Sequence, residues 1–293
     1  MKAADRPYTI DVRFFAPPAD LAPFFSILYR VDIACRGNAV VEDLLQPEWA
    51  NLRFFGGNLP SARMMTGAAI DGARFAATGP SSCPTHFRLG TTRLWGIGLL
   101  PLGWARFVAR PANAYVNTIV DGERSEAFAQ FSPLCRHLCR TDLDEDEQFS
   151  RIVAFFRDHG SPPRDEARIR LIHEEMADPH LLNASDFADR VGLTLRTLER
   201  VCLRHFGFPP RMLLRRQRMM RSLAAFMLED NATWSRTIDR HYHDQAHFVR
   251  EFHGFMHMGP SEYAGLDHPI LGEFMAERQR VWGSPAQSLD ESQ

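Results

Sequence analysis

From residue 8 to about residue 120 the apolar positions fall in short clusters, 10–15, 52–55 and 94–100, separated by Gly57 and Asn58, by Asp71 and Gly72, by Gly79 and Pro80, and by Pro101, Leu102 and Gly103. Short apolar runs punctuated by turn formers predict β-strands, and their spacing predicts a compact barrel or sandwich. Between residues 127 and 159 the period lengthens to that of a helix. Ser161, Pro162 and Pro163 then end it, because proline removes a hydrogen-bond donor and clashes with the preceding turn. Beyond Pro163 the pattern is almost wholly helical, with segments predicted at 164–176, 185–191, 195–205, 210–228, 234–240 and 245–255. Short helices with short joints predict a cluster of small packed helices, not a long bundle.

The segment 185–201 carries the most local detail. Ser185 is placed to cap a helix and Asp186 sits in its first turn, where the helix dipole favours a carboxylate. Ala188 is small where two helices would cross. Gly192 supplies a left-handed residue that ends the first helix, and Thr194 is placed to cap the second. Leu193, Leu198 and Val201 would fill the wedge between them. On the second helix, with about 100° per residue, Arg196, Thr197, Arg200 and Arg204 share one arc, while Leu198, Val201, Cys202 and His205 lie opposite. This is the pattern of a helix-turn-helix, with one face cationic and the other buried.

Charge sharpens that reading only when taken locally. The formal net charge is −2, yet residues 196–221 hold eight arginines against one acid, Glu199, and the acids gather in a linker at 142–147. Within the basic stretch Arg215 and Arg216 are placed to contact phosphates. A shift of 50 residues aligns Leu198, Arg200, Phe206 and Pro210 with Phe248, Arg250, Met256 and Pro260. Two copies of one unit are therefore predicted, at about 185–206 and 234–256, joined by the amphipathic 210–228 helix. In the second copy Phe248, Phe252 and Phe255 face inward, leaving Ala246, His247 and Arg250 outward.

Residues 165–265 resemble the DNA-binding domain of the AraC/XylS family of bacterial regulators. The resemblance is carried by Phe187-Ala188-Asp189-Arg190-Val191-Gly192-Leu193-Thr194, by Leu198-Glu199-Arg200 and by Arg204-His205-Phe206-Gly207-Phe208-Pro209-Pro210. Asp244-Gln245-Ala246-His247-Phe248-Val249-Arg250-Glu251-Phe252 and Gly259-Pro260-Ser261-Glu262-Tyr263 carry it in the second half. The N-terminal part, through 45–54 and 98–106, resembles a sensor domain of some members that names no ligand. The fold class implied is α+β: a β-rich cupin-like barrel in 1–160, with a helical C-terminal part, then an all-α double helix-turn-helix domain in 164–266 and a tail in 267–293, frayed from Gly283 onward.

The function implied is sequence-specific binding of double-stranded DNA, with Arg196, Thr197, Arg200, Arg204, Ala246, His247 and Arg250 at the interface. An effector of unknown identity or a homodimer contact would bias it through the first domain, and RNA polymerase would be the partner of an activator. Two departures stand out: Arg240-His241-Tyr242-His243 holds no turn glycine, and His257 stands where the first unit has Gly207. The second reading helix is therefore expected to be aimed less firmly than the first.

Other chemistry is disfavoured. Only His86 and His137 precede residue 150, too few for a multi-histidine metal barrel, so a small-molecule-modifying β-barrel enzyme with a supporting helical domain is the alternative and no cofactor is expected. In Cys135-Arg136-His137-Leu138-Cys139 the cysteines sit four apart with His137 turned away, which suits buried thiols better than zinc. The histidines at 241, 243, 247, 253 and 257 lie among core-spaced phenylalanines. Trp49, Phe54, Phe55, Trp95 and Trp104 read as core before they read as a pocket. Five scattered cysteines suggest reduced thiols, and with no signal pattern and no long apolar run a cytoplasmic protein without membrane contact is expected.

Overall fold

The computed structural model describes residues 6–229 and 232–282. Ten strands open the chain: β1 (Tyr8–Phe14), β2 (Phe25–Cys35), β3 (Val41–Leu45), β4 (Ala50–Phe55), β5 (Ser61–Met64), β6 (Ala69–Asp71), β7 (Phe75–Thr78), β8 (Thr85–Leu89), β9 (Thr92–Leu99) and β10 (Ile119–Asp121). They pair antiparallel in two sheets, β1-β2-β9-β4-β7-β10 and β3-β8-β5-β6. The unit is thus a cupin-like jelly roll of two sheets, not one continuously closed barrel.

Successive side chains of a strand point to opposite faces, so a strand covered on both sides is apolar throughout. In β2, Leu28 joins the core on the helix side, whereas Ile27, Tyr29, Val31 and Ile33 join the core between the sheets. This is why the apolar clusters of 52–55 and 94–100 do not alternate.

Helices close the outer face of the larger sheet. After α1 (Pro101–Gly103), which runs on into a π-turn at Trp104–Val108, come α2 (Ser132–Leu138) and α3 (Glu145–Asp158). The acidic run read as a linker starts α3: Asp144 caps it, accepting from Asp146 N, and Glu145, Asp146 and Glu147 occupy its first turn, where the dipole favours them. Buried Gln148 accepts from Trp95 Nε1 at 2.8 Å and donates to Arg140 O at 2.8 Å, tying helix to sheet.

The remaining helices are α4 (Glu166–Glu175), α5 (Ala184–Arg190), α6 (Leu195–Phe206), α7 (Pro210–Leu228), α8 (Trp234–Thr237), α9 (Gln245–Met256), α10 (Pro260–Ala264) and α11 (Pro269–Trp282). No helix among the described residues is long and apolar enough to cross a membrane.

The prolines at 162 and 163 interrupt the backbone pattern but not the core. One buried cluster runs from Leu52, Trp95 and Phe156 through Ile169 and Phe187 to Val201, Phe206 and Leu213. Each such phenylalanine, fully buried, stabilises by roughly 1.5–3 kcal/mol. A separate cluster of Met219, Leu223, Phe248, Phe252, Phe255 and Tyr263 holds the second helical unit.

The placement of 267–293 as a tail needs correction over 269–282, which form α11 packed on the strands. Its first turn is capped from 227 residues away in sequence: Asp43 Oδ2 accepts from Ile270 N at 2.8 Å and Leu271 N at 2.7 Å. A cap so distant leaves no local signature. The expected fraying from Gly283 onward lies outside the described residues.

Candidate nucleic-acid interface

In the first helical unit the turn follows from local chemistry. Gly192 adopts φ +64°, and a Cβ there would meet nothing within 4 Å, so conformation and not space demands glycine. Thr194 caps α6, its hydroxyl accepting from Thr197 N at 3.2 Å. Ser185 does not cap α5. The helix starts one residue earlier, and Asn183, extended at φ −134°, accepts from Asp186 N at 2.9 Å, leaving Ser185 inside the first turn. Asparagine is as good a cap as serine, so the start moves upstream of the predicted Ser185 cap.

Along α6, Leu198, Val201, Cys202, His205 and Phe206 are buried, whereas Arg196, Arg200 and Arg204 are exposed. None of these three arginines has a carboxylate partner among the described residues, in contrast to Arg13, Arg93, Arg157 and Arg190. Thr197 is half-buried, its hydroxyl 2.9 Å from that of Thr194. The C-terminal end of α6 is seated on the sheet unit. Gly207 (φ +87°) lies so close that a Cβ would sit 2.8 Å from Val116 Cγ1, and Phe206 packs beside Trp49 and His173. Burial drives His173 down to about 4, and it lowers His205 as well, against the pull of Asp165 3.3 Å away.

In the second unit α8 is a single turn, and no left-handed residue follows it at 238–243. Side chains replace the missing glycine. Asp239 receives Arg221 Nε at 2.6 Å and His241 N at 2.9 Å, and its own N–H donates to Ser222 Oγ at 2.8 Å. Tyr242 donates to Glu251 Oε1 at 2.7 Å. Asp244 caps α9, accepting from His247 N at 2.6 Å, and Trp234 stacks on Phe226 at 3.9 Å while donating to Pro260 O. The loose aim expected from sequence is thus offset by a polar network anchored on α7. On α9, Phe248, Phe252 and Phe255 are buried, Ala246 and Arg250 are exposed, and His247 is half-buried against Tyr242.

The two arginines assigned to phosphates separate. Arg215 is half-exposed and donates to Glu251 Oε2 at 2.8 Å. Arg216 is only 4% exposed: its guanidinium lies 4.2 Å above the Trp49 ring and donates to Ser81 O at 3.2 Å. Burial lowers it to about 10, so it stays charged at neutral pH. It cannot meet a phosphate from there. Neighbours on a helix are about 100° apart, so when Arg215 points outward Arg216 is turned toward the sheet unit.

Sequence reasoning missed Glu251. Only 2% exposed, it gathers Arg215, Arg218 and Tyr242 and so locks α9 to α7. Its one signal was an acid on the apolar side of α9. Exposed Arg211, at the start of α7, also has no ion-pair partner among the described residues. Of the aromatics weighed for a pocket, Trp49, Phe54, Trp95 and Trp104 belong to the core, and only Phe55 lines the cavity between the sheets. Cys135 and Cys139 place their sulfurs 3.3 Å apart, with His137 Nδ1 turned to Pro133 O.

Residues 187–265 match the family model of a helix-turn-helix domain (HTH_18). No curated protein matches the chain. Among solved structures, ToxT from Vibrio cholerae is similar at 10% identity and a TM-score of 0.43, over 88% of this chain and 98% of its own. ToxT from the same organism with unsaturated fatty acid bound is similar at 10% identity and 0.41, over 87% and 94%. The AraC-like transcriptional activator CuxR is similar at 13% identity and 0.28, over 73% and 87%. These superpositions are loose, so the domain assignment rests on the match over 187–265.

Proposed function

We propose that the chain is a DNA-binding transcription factor of the AraC type, in which residues 187–265, matched by a helix-turn-helix domain, carry α6 and α9 as the two reading elements. The observation that carries this is the trio of exposed arginines on α6 that have no carboxylate partner among the described residues, opposite a buried face. Guanidinium forks at Arg196 and Arg200 suit guanine edges in the major groove, and Arg204 suits either a base or a flanking phosphate. Thr197, Ala246, His247 and Arg250 complete the two surfaces. The linking helix α7 has 19 residues, about 28 Å at 1.5 Å per residue, a separation of the order of one DNA turn. Arg211 and Arg215 supply phosphate contacts, and Arg216 does not.

The unit of 1–160 biases the reading of 164–266, through an effector or a second copy of the chain. The continuous core across 161–163 supports this, since α6 cannot shift without repacking Trp49 and Phe206. Binding and not catalysis is its work. Its place is the cytoplasm, and RNA polymerase is its further partner if it activates.

A gel-shift titration against the promoter region adjoining its own gene tests the reading. Saturable binding that survives competitor DNA is expected. Weak binding, blind to sequence, would favour the small-molecule-modifying enzyme with a supporting helical domain.

A further inference from the structure

The two sheets leave a cavity between them of about 120 Å³. Ile27, Val31 and Phe87 are among its walls, and the C-terminal half closes it with Met220 and Ala224 of α7 and with Ile270 and Phe274 of α11. One end is polar. Arg53, 8% exposed, donates through Nε to Tyr29 OH at 2.9 Å and through Nη2 to Glu48 at 2.7 Å, while its Nη1 has no hydrogen-bond partner among the described residues. Asn51, 1% exposed, turns Nδ2 toward Glu48, which leaves its Oδ1 buried with no partner among the described residues. An unmet buried acceptor destabilises the fold, so a ligand that meets it gains what the fold forgoes. Glu48 pairs with Arg53 within the wall, so the side chains that line this end offer one donor and one acceptor with no unpaired charge among them, which a neutral hydroxyl complements.

The apolar end is already occupied by the chain itself. Phe274 stands edge-on to Phe14 at 5.4 Å and to Tyr29 at 4.7 Å. The remaining space is near that of the ~150 Å³ engineered cavity that takes up benzene. Anything larger than one ring must move Phe274. We propose that this cavity binds a compact, mainly aromatic molecule ending in one neutral hydroxyl, and that α11 is its displaceable plug. Met275 of α11 packs on Ala224 of α7, the helix that carries a reading element at either end. Displacing the plug thus reaches both. That last consequence rests on the regulatory reading above, whereas the binding itself does not.

The full chain titrated calorimetrically with 2-naphthol, without DNA, tests the proposal, with naphthalene and 2-naphthoate as comparison ligands and amide hydrogen exchange over 269–277 as second readout. The expected results are saturable 2-naphthol binding, at least tenfold weaker binding of naphthalene and of 2-naphthoate, and faster exchange at Ile270 and Leu271 as their bonds to Asp43 open. Phe274→Ala should tighten 2-naphthol tenfold or more, and Phe274→Trp should abolish it. Should Phe274→Ala fail to fold, the parent chain's binding and exchange still decide. No binding to the parent chain or to a folded Phe274→Ala variant overturns the site, binding with unchanged exchange overturns the plug, and tighter 2-naphthoate overturns the neutral end. A failed gel shift would leave all three readouts standing, and their failure would leave the DNA assignment standing.

Discussion

Acid should loosen the seam between the sheet unit and the first reading helix, through His173. His173 is half-buried, with its imidazole against Trp49 and Phe206 and its Nε2 buried with no partner among the described residues, and burial lowers its pKa from 6.5 to about 4. Because the folded value lies below the unfolded one, the unfolded chain binds more protons between them, and stability falls as pH falls through 6.5 toward 4. The gap of 6.5 minus 4 is 2.5 units, about 3 kcal/mol in full at 1.36 kcal/mol per unit. About 2 kcal/mol of it is lost between pH 8 and pH 5, a large share of a total near 5–15 kcal/mol. Urea denaturation of the parent chain and of His173→Leu at pH 8, 7, 6 and 5 measures it. From pH 8 to pH 5 the parent chain should lose about 2 kcal/mol more stability than His173→Leu does. His205, lowered in the same direction, is present in both chains and cancels. Asp165, lowered from 3.8, acts below this window. Parallel curves would refute the reasoning, for they would mean that the folded protein protonates His173 as readily as the unfolded chain does.

Arg200→Ala should leave stability within about 0.5 kcal/mol and cost about 1–3 kcal/mol of cognate DNA affinity, whereas Arg216→Ala should cost about 2–4 kcal/mol of stability, by calorimetric melting, from its lost stem and its stacking on Trp49. Equal melting points for the two variants would return Arg216 to the surface. Asn183→Ala should destabilise by about 1 kcal/mol and Ser185→Ala by less than about 0.5 kcal/mol, an order that chemical denaturation would reverse if Ser185 were the cap. His257 ends α9 at φ +58°, so His257→Gly should raise stability by up to about 1 kcal/mol by relieving left-handed strain. A loss on denaturation would show that the ring contributes more than the strain costs.

What the sequence by itself determined is what neighbours a few residues apart decide. Gly192 ends a helix through its own backbone freedom, Thr194 reaches an amide three residues on, and the 100° advance separates Arg196, Arg200 and Arg204 from Leu198, Val201 and Cys202 whatever lies elsewhere in the chain. The β-rich first half was legible for the same reason, in strand-length clusters between turn formers, although its division into two sheets was not. Tertiary structure alone decided the rest. Arg215 and Arg216 are equally basic in sequence, and only the Trp49 face across from α7 makes one a surface group and the other a buried cation. The missing turn glycine near Tyr242 suggested a loose second unit, yet Asp239 and Glu251 recruit arginines from α7 to hold it. Residues 269–282 read as a tail because their helix is capped by Asp43 and covered by β1 and β3, partners that no local window contains. Short-range hydrogen bonds and helical periodicity are written in adjacent residues, whereas burial is a property of whatever the folded chain brings opposite.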